Sequence, residues 1–109
     1  MSRANLGDFE HLVLLAVMRL ADEAYGLAIR GEIEVRTDRS VSTGAVYTTL
    51  DRLEQKGFVR SSVEQGMVAR DNRLRRRYEI MPAGRDAVSA AQSDIRAMSR
   101  GLTLHKGVR

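Results

Sequence analysis

The sequence predicts a small, mainly helical α+β domain, in which three short helices precede a β-hairpin and a fourth helix follows it. Three observations lead there. Apolar residues recur at helical spacing between Leu6 and Leu20, between Tyr25 and Arg36, and again after Ser42. Two stretches, Phe58 to Val63 and Arg75 to Met81, alternate as strands do around a polar segment, Glu64 to Arg73, that contains Gly66 and reads as loop. Pro82 then stands where a last helix begins, its fixed φ and missing N–H suiting the first helical position.

Each element has its own local justification. In the first helix Phe9, Val13, Ala16, Val17 and Leu20 form the inward stripe, while Leu6, Leu12, Leu14, Leu15 and Met18 fill much of the remaining circumference. A helix in so small a domain should show water a polar face, so this one is expected to meet a second subunit. The second helix carries Leu27, Ile29, Ile33 and Val35. The third has Ser42 as its N-cap, Val41 and Val46 at staple positions, Val46, Leu50 and Leu53 facing inward, and Gly57 just past its end at Lys56. The fourth, running to about Arg100, places Gly84, Val88, Ala91, Ile95, Met98 and Leu102 on a heptad-like seam. The expected organisation is a unit over residues 1–81, a C-terminal dimerisation helix over 82–100 and a flexible tail over 101–109. Leu6, Phe9, Val13, Val88, Ala91, Ile95, Met98 and Leu102 are the expected homodimer contacts.

Composition narrows the function. The 109 residues suffice for one domain with one modest core, and 43% hydrophobic against 29% charged residues is a globular balance. The absence of cysteine excludes a disulfide framework and a thiolate metal site. The N-terminal stretch has one early basic residue, Arg3, and Asp8 and Glu10 ahead of its apolar run, unlike a signal peptide. That run, Leu12 to Met18, is far too short to span a membrane. A cytoplasmic protein without a membrane partner is expected. No phosphate-binding loop or dinucleotide fingerprint is present, the carboxylates sit beside basic residues as surface pairs do, and His11 and His105 lack partners for metal binding or catalysis. His11 reads as a packed or interface histidine. No enzyme activity, metal or cofactor is expected.

The charge is uneven. Residues 1–40 carry five basic and seven acidic side chains, residues 41–81 eight and five, and residues 82–109 five and two. A chain that turns basic in its middle suits a polyanion. Five of the eight residues from Arg70 to Arg77 are arginine: Arg70, Arg73, Arg75, Arg76 and Arg77. Their planar forks match phosphate oxygens. The third helix begins with small and polar residues, Ser42, Thr43, Gly44 and Ala45, followed by Tyr47, Thr48 and Arg52. A helix with such a start can approach a major groove closely. Three helices, a basic hairpin and a last helix are the arrangement of a winged helix-turn-helix, with double-stranded DNA as the expected partner. The alternative is a winged-helix module for protein contacts.

The runs LGDFEHLVLLAVMRL, AYGLAIRGEIE, VSTGAVYTTLDRLEQKGFV and RRRYEIMPAGRDAV together resemble the PadR-like family of bacterial transcriptional regulators over about residues 6–88. The resemblance is carried above all by Gly44, Val46, Tyr47, Leu50, Leu53, Gly57 and Val59 in their spacing, joined to Tyr78, Pro82, Ala83 and Gly84. It implies a winged-helix homodimer whose third helix, including Tyr47, and wing meet a palindromic operator, and whose first and last helices form the dimer. It also implies a repressor, in some members released by a small-molecule effector. Met81 replaces the threonine common in the family before the proline, so a hydroxyl cap is missing. With no tryptophan and two phenylalanines, an aromatic-lined effector cavity is not evident.

Overall fold

The computed structural model describes residues 6–68 and 74–104, with side chains over 6–64 and 75–104. The elements are α1 (Asp8–Leu20), a 3₁₀ turn (Ala21–Glu23), α2 (Gly26–Thr37), α3 (Thr43–Gln55), β1 (Val59–Val68), β2 (Leu74–Ile80) and α4 (Pro82–Ser99). The two strands pair antiparallel, Val59 opposite Ile80 through Val63 opposite Arg76, with an irregularity before Val68 meets Leu74.

Local chemistry sets the boundaries. Gly7 caps α1, its N–H donating to Glu10 Oε1 at 2.8 Å, so the helix starts at Asp8 rather than Leu6. Ser42 caps α3 by accepting from the Ala45 N–H at 3.0 Å, and Val41 and Val46 are both buried beneath it. At the other end of α3, Gly57 takes φ +80°. Its N–H donates to the Glu54 carbonyl at 3.0 Å while the Phe58 N–H donates to the Leu53 carbonyl at 2.9 Å. These are the paired bonds of a Schellman stop. The Phe58 carbonyl in turn accepts from the Met81 N–H at 2.9 Å. Gly84 lies so close to this carbonyl that a Cβ there would sit 2.3 Å from the oxygen. Only glycine allows the first turn of α4 to press against the base of the hairpin.

Sequence expectation and structure differ at β1. The segment after Val63 was expected as loop, yet β1 continues to Val68 and includes Gly66. A ladder is held by backbone hydrogen bonds, so the strand resumes past a break in register, with Val68 opposite Leu74, through residues with no alternating pattern. The connection after α1 adds another tie: the Tyr78 N–H donates to the Ala24 carbonyl at 2.9 Å and Tyr25 bridges Arg77, so the loop before α2 lies along β2 like a fragment of a third strand.

The core joins Val13, Leu14 and Val17 of α1, Ile29 and Ile33 of α2, Val46, Leu50 and Leu53 of α3, Val59 and Tyr78 of the hairpin, and Ala87 and Val88 of α4. Burial pushes the Tyr78 hydroxyl up to about 12. Two features were not foreseen. Glu10 was expected to pair on the surface, but it is 6% exposed and holds Lys56 Nζ at 3.0 and 2.9 Å, tying the start of α1 to the end of α3. Burial raises its carboxyl pKa, but the Gly7 N–H, Lys56 and Arg52 outweigh this and hold it below its ordinary value. Tyr47, expected on the exposed side of α3, is half-buried with its ring laid on Gly26 of α2. A Cβ at Gly26 would lie 2.2 Å from the Tyr47 hydroxyl.

Two outcomes follow. Gly26→Ala should lower unfolding free energy by about 1–3 kcal/mol, the usual cost of overpacking, and adding Tyr47→Ala should recover part of that loss in urea titrations. Because the folded Glu10 carboxyl has a lowered pKa, its contribution is present above the ordinary value of 4.5 and lost as pH falls through the folded value. Wild-type stability should therefore decline on acidification below that point, and Glu10→Gln should decline less steeply in the same window.

Candidate nucleic-acid interface

The exposed side of α3 consists of Gly44, Ala45, Thr48, Asp51, Arg52, Glu54 and Gln55, opposite buried Val46, Thr49, Leu50 and Leu53. Ser42 is exposed at the helix start, and Gly44 has open space around its Cα. Thr43 is half-buried, its Oγ1 accepting from Arg30 Nη1 at 3.2 Å. Sequence patterning did not single out Arg30, because its relevance comes from α2 crossing the start of α3. Tyr47, beside this surface, is half-buried with its ring against Gly26 of α2.

The hairpin divides its arginines. Residues opposite each other in the ladder share a face, and successive residues alternate. Val59, Ser61, Val63, Arg76, Tyr78 and Ile80 form one face, which packs on α3 and the core. Arg76 on this face is exposed, and its Nη1 donates to Ser61 Oγ at 2.8 Å. Arg60, Ser62, Glu64, Arg75, Arg77 and Glu79 form the other face. There Arg75 stacks on the Tyr25 ring, its Cζ 3.8 Å from the ring centroid, while the Tyr25 hydroxyl donates to Glu64 Oε2 at 2.7 Å. That bond to Glu64 raises the Tyr25 pKa. Arg60 pairs with Glu79 at 3.0 Å. Arg70 and Arg73 lie outside the described residues. The run of arginine legible in the sequence therefore does not form one patch among the described residues: Arg76 looks toward α3, and Arg75 and Arg77 look away.

An open cavity of about 450 Å³ lies between the second hairpin face, the end of α1 and the start of α4. Val17, Met18 and Ile80 give it an apolar floor, Arg60, Arg77 and Arg85 line its polar side, and Tyr78 is its one aromatic lining residue.

The dimer residues expected from sequence separate into two sets. Val13 and Val88 are 0% and 6% exposed and belong to the chain's own core, so they have no surface to offer a partner. Leu6, Phe9 and Ala91 are half-buried. Ile95, Met98 and Leu102 are 66%, 80% and 63% exposed on and just past α4. His11 is half-buried in α1, with Nε2 enclosed and lacking a hydrogen-bond partner among the described residues.

The transcriptional regulator PadR-like family matches residues 14–90, most of the chain. The chain belongs to the PadR-like family. Its four helices and two-stranded hairpin are the winged helix of these regulators. Among solved structures, H. salinarum RosR is 27% identical, with a TM-score of 0.70 and 94% of this chain and 84% of that one covered. A PadR family transcription regulator from Clostridium difficile is 20% identical, with a TM-score of 0.72 over 86% and 93% of the two chains. BpsR of Bordetella bronchiseptica, whose DNA binding is regulated by 6-hydroxynicotinic acid, is 16% identical with a TM-score of 0.65 over 94% and 72%, a likeness of fold alone. No curated protein matches the sequence significantly. PadR-family regulators are non-enzymatic DNA-binding proteins. Among the described residues no helix is long and apolar enough to cross a membrane, and no cluster of His, Cys, Asp or Glu could hold a metal.

Proposed function

We propose that this PadR-family chain is a sequence-specific DNA-binding regulator that acts as a homodimer and represses transcription from a palindromic operator. The observation that carries this reading is the shared side of α3 and the wing: a helix surface of small and polar residues, Gly44, Ala45, Thr48 and Arg52, lies beside a hairpin face from which Arg76 projects. Small side chains allow the helix to enter a major groove, Thr48 and Arg52 reach base edges, and Arg76 meets the neighbouring phosphates. Ser42 and Thr43 stand where backbone N–H groups at the helix start face a phosphate. Arg75 and Arg77, on the far face, add to the positive field rather than to the groove contact.

The dimer rests on α4. Ile95, Met98 and Leu102 continue a heptad seam beyond the part of α4 that the core covers, and a second copy related by a two-fold axis would bury them against α1 and α4. A two-fold protein reads a two-fold site, which is why the operator is proposed as palindromic.

The test is duplex selection from a random pool followed by titration. If a dimer neutralises about six to ten phosphates, affinity should fall by about 10³ to 10⁵ between about 50 and about 200 mM salt. A flat response would favour a protein partner instead. Thr48→Ala and Arg52→Ala should each weaken binding to the selected duplex by about 1–3 kcal/mol without moving the unfolding midpoint. Ile95→Glu should yield monomer by light scattering. A persistent dimer in that variant would place the interface elsewhere.

A further inference from the structure

The junction between α3 and the wing contains a chain of side-chain hydrogen bonds. Glu54 Oε2, on the last turn of α3, accepts from the Ser61 backbone N–H at 3.2 Å and from Ser61 Oγ at 2.9 Å. Ser61 Oγ accepts in turn from Arg76 Nη1 at 2.8 Å. Ser61 lies directly opposite Tyr78 in the ladder, so Arg76 reaches it diagonally across the strands on the face turned toward α3. The chain thus joins the recognition helix to both strands of the hairpin.

Glu54 and Arg76 are exposed, and bonds of this kind contribute little to stability. A carboxylate beside a polyanion site also opposes binding. Both considerations argue against Glu54 as a stabiliser or as a contact. Its geometry suits another role. With Ser61 fixed by two bonds to one carboxylate oxygen, the wing takes one angle to α3, and Arg76 takes one direction. The remaining N–H groups of its fork have no partner among the described residues.

We infer that Glu54 is a positioning residue: through Ser61 it holds the wing and Arg76 at one fixed offset from α3, and so makes phosphate contact by the wing depend on the helix being seated in its correct register. This rests on the DNA-binding reading above. Locking two reading elements together converts a misfit of the helix into a lost contact at the wing, so the device acts on discrimination between duplexes rather than on overall affinity.

The experiment compares dissociation constants for the duplex that the wild-type dimer selects and for a shuffled duplex of the same length and composition. Glu54→Ala should cut the ratio between them about tenfold, on the scale of one mismatched base pair. Glu54→Gln removes the charge but keeps an oxygen that accepts from both Ser61 groups, and should retain the wild-type ratio. Ser61→Ala leaves the charge and removes the link to Arg76, and should lower the ratio as Glu54→Ala does. Unfolding midpoints should stay near wild type throughout. If Glu54→Gln and Glu54→Ala raise affinity for both duplexes equally, Glu54 acts by charge and the inference fails. If the unfolding midpoint of Glu54→Ala falls while its ratio is unchanged, the role is structural and the inference again fails. If the wild-type protein selects no duplex, the DNA-binding reading falls first and this one with it.

Discussion

The fold depends on one crowded backbone position. Phe58 closes the Schellman stop of α3 through its N–H and receives the Met81 N–H on its carbonyl, while its ring is buried in the core. Gly84 presses on that same carbonyl. The end of α3, the root of the wing and the first turn of α4 therefore meet at one peptide group. Their meeting point is set by hydrogen bonds and a steric limit rather than by adaptable side-chain packing. A side chain larger than glycine at position 84 would force this joint apart, because its Cβ would sit 2.3 Å from the Phe58 carbonyl oxygen.

Much of this was legible in the sequence, for identifiable reasons. Ser42, Val41, Val46 and Gly57 announce α3 because capping and helix-stop chemistry is local and acts through residues a few positions apart. Pro82 announces α4 in the same way. The length of β1 was not legible, since Glu64 to Val68 joins the ladder through backbone groups and lacks an alternating pattern. Nor was the inward turn of Tyr47, which depends on Gly26, a residue twenty-one positions earlier that matters only because α2 and α3 cross there. Glu10 is similar. Its partner Lys56 lies far along the chain, and nothing in a helix start rich in acids distinguishes the one carboxylate that becomes buried.

The proposed site is suggested by composition, but its direction is not. Runs of arginine are easy to see, yet strand alternation sends neighbouring members of a run to opposite faces. Arg76 joins the α3 side while Arg75 settles on Tyr25. Charge counted along a strand therefore overstates what any one surface carries, and the residues bonded in a chain to Arg76, Ser61 and Glu54, carry no positive charge at all.

The apolar stretch from Ile95 to Leu102 has a further consequence. Surface that one chain cannot cover makes behaviour depend on how many copies are present. At low abundance these side chains stay wet and each winged helix would meet DNA alone. In the homodimer proposed above, association would hide them and join two reading heads, so occupancy of a two-part site would rise faster than protein number. Such a chain would turn a gradual change in its own synthesis into a sharper genetic response, with the sharpness set by the last turns of one helix.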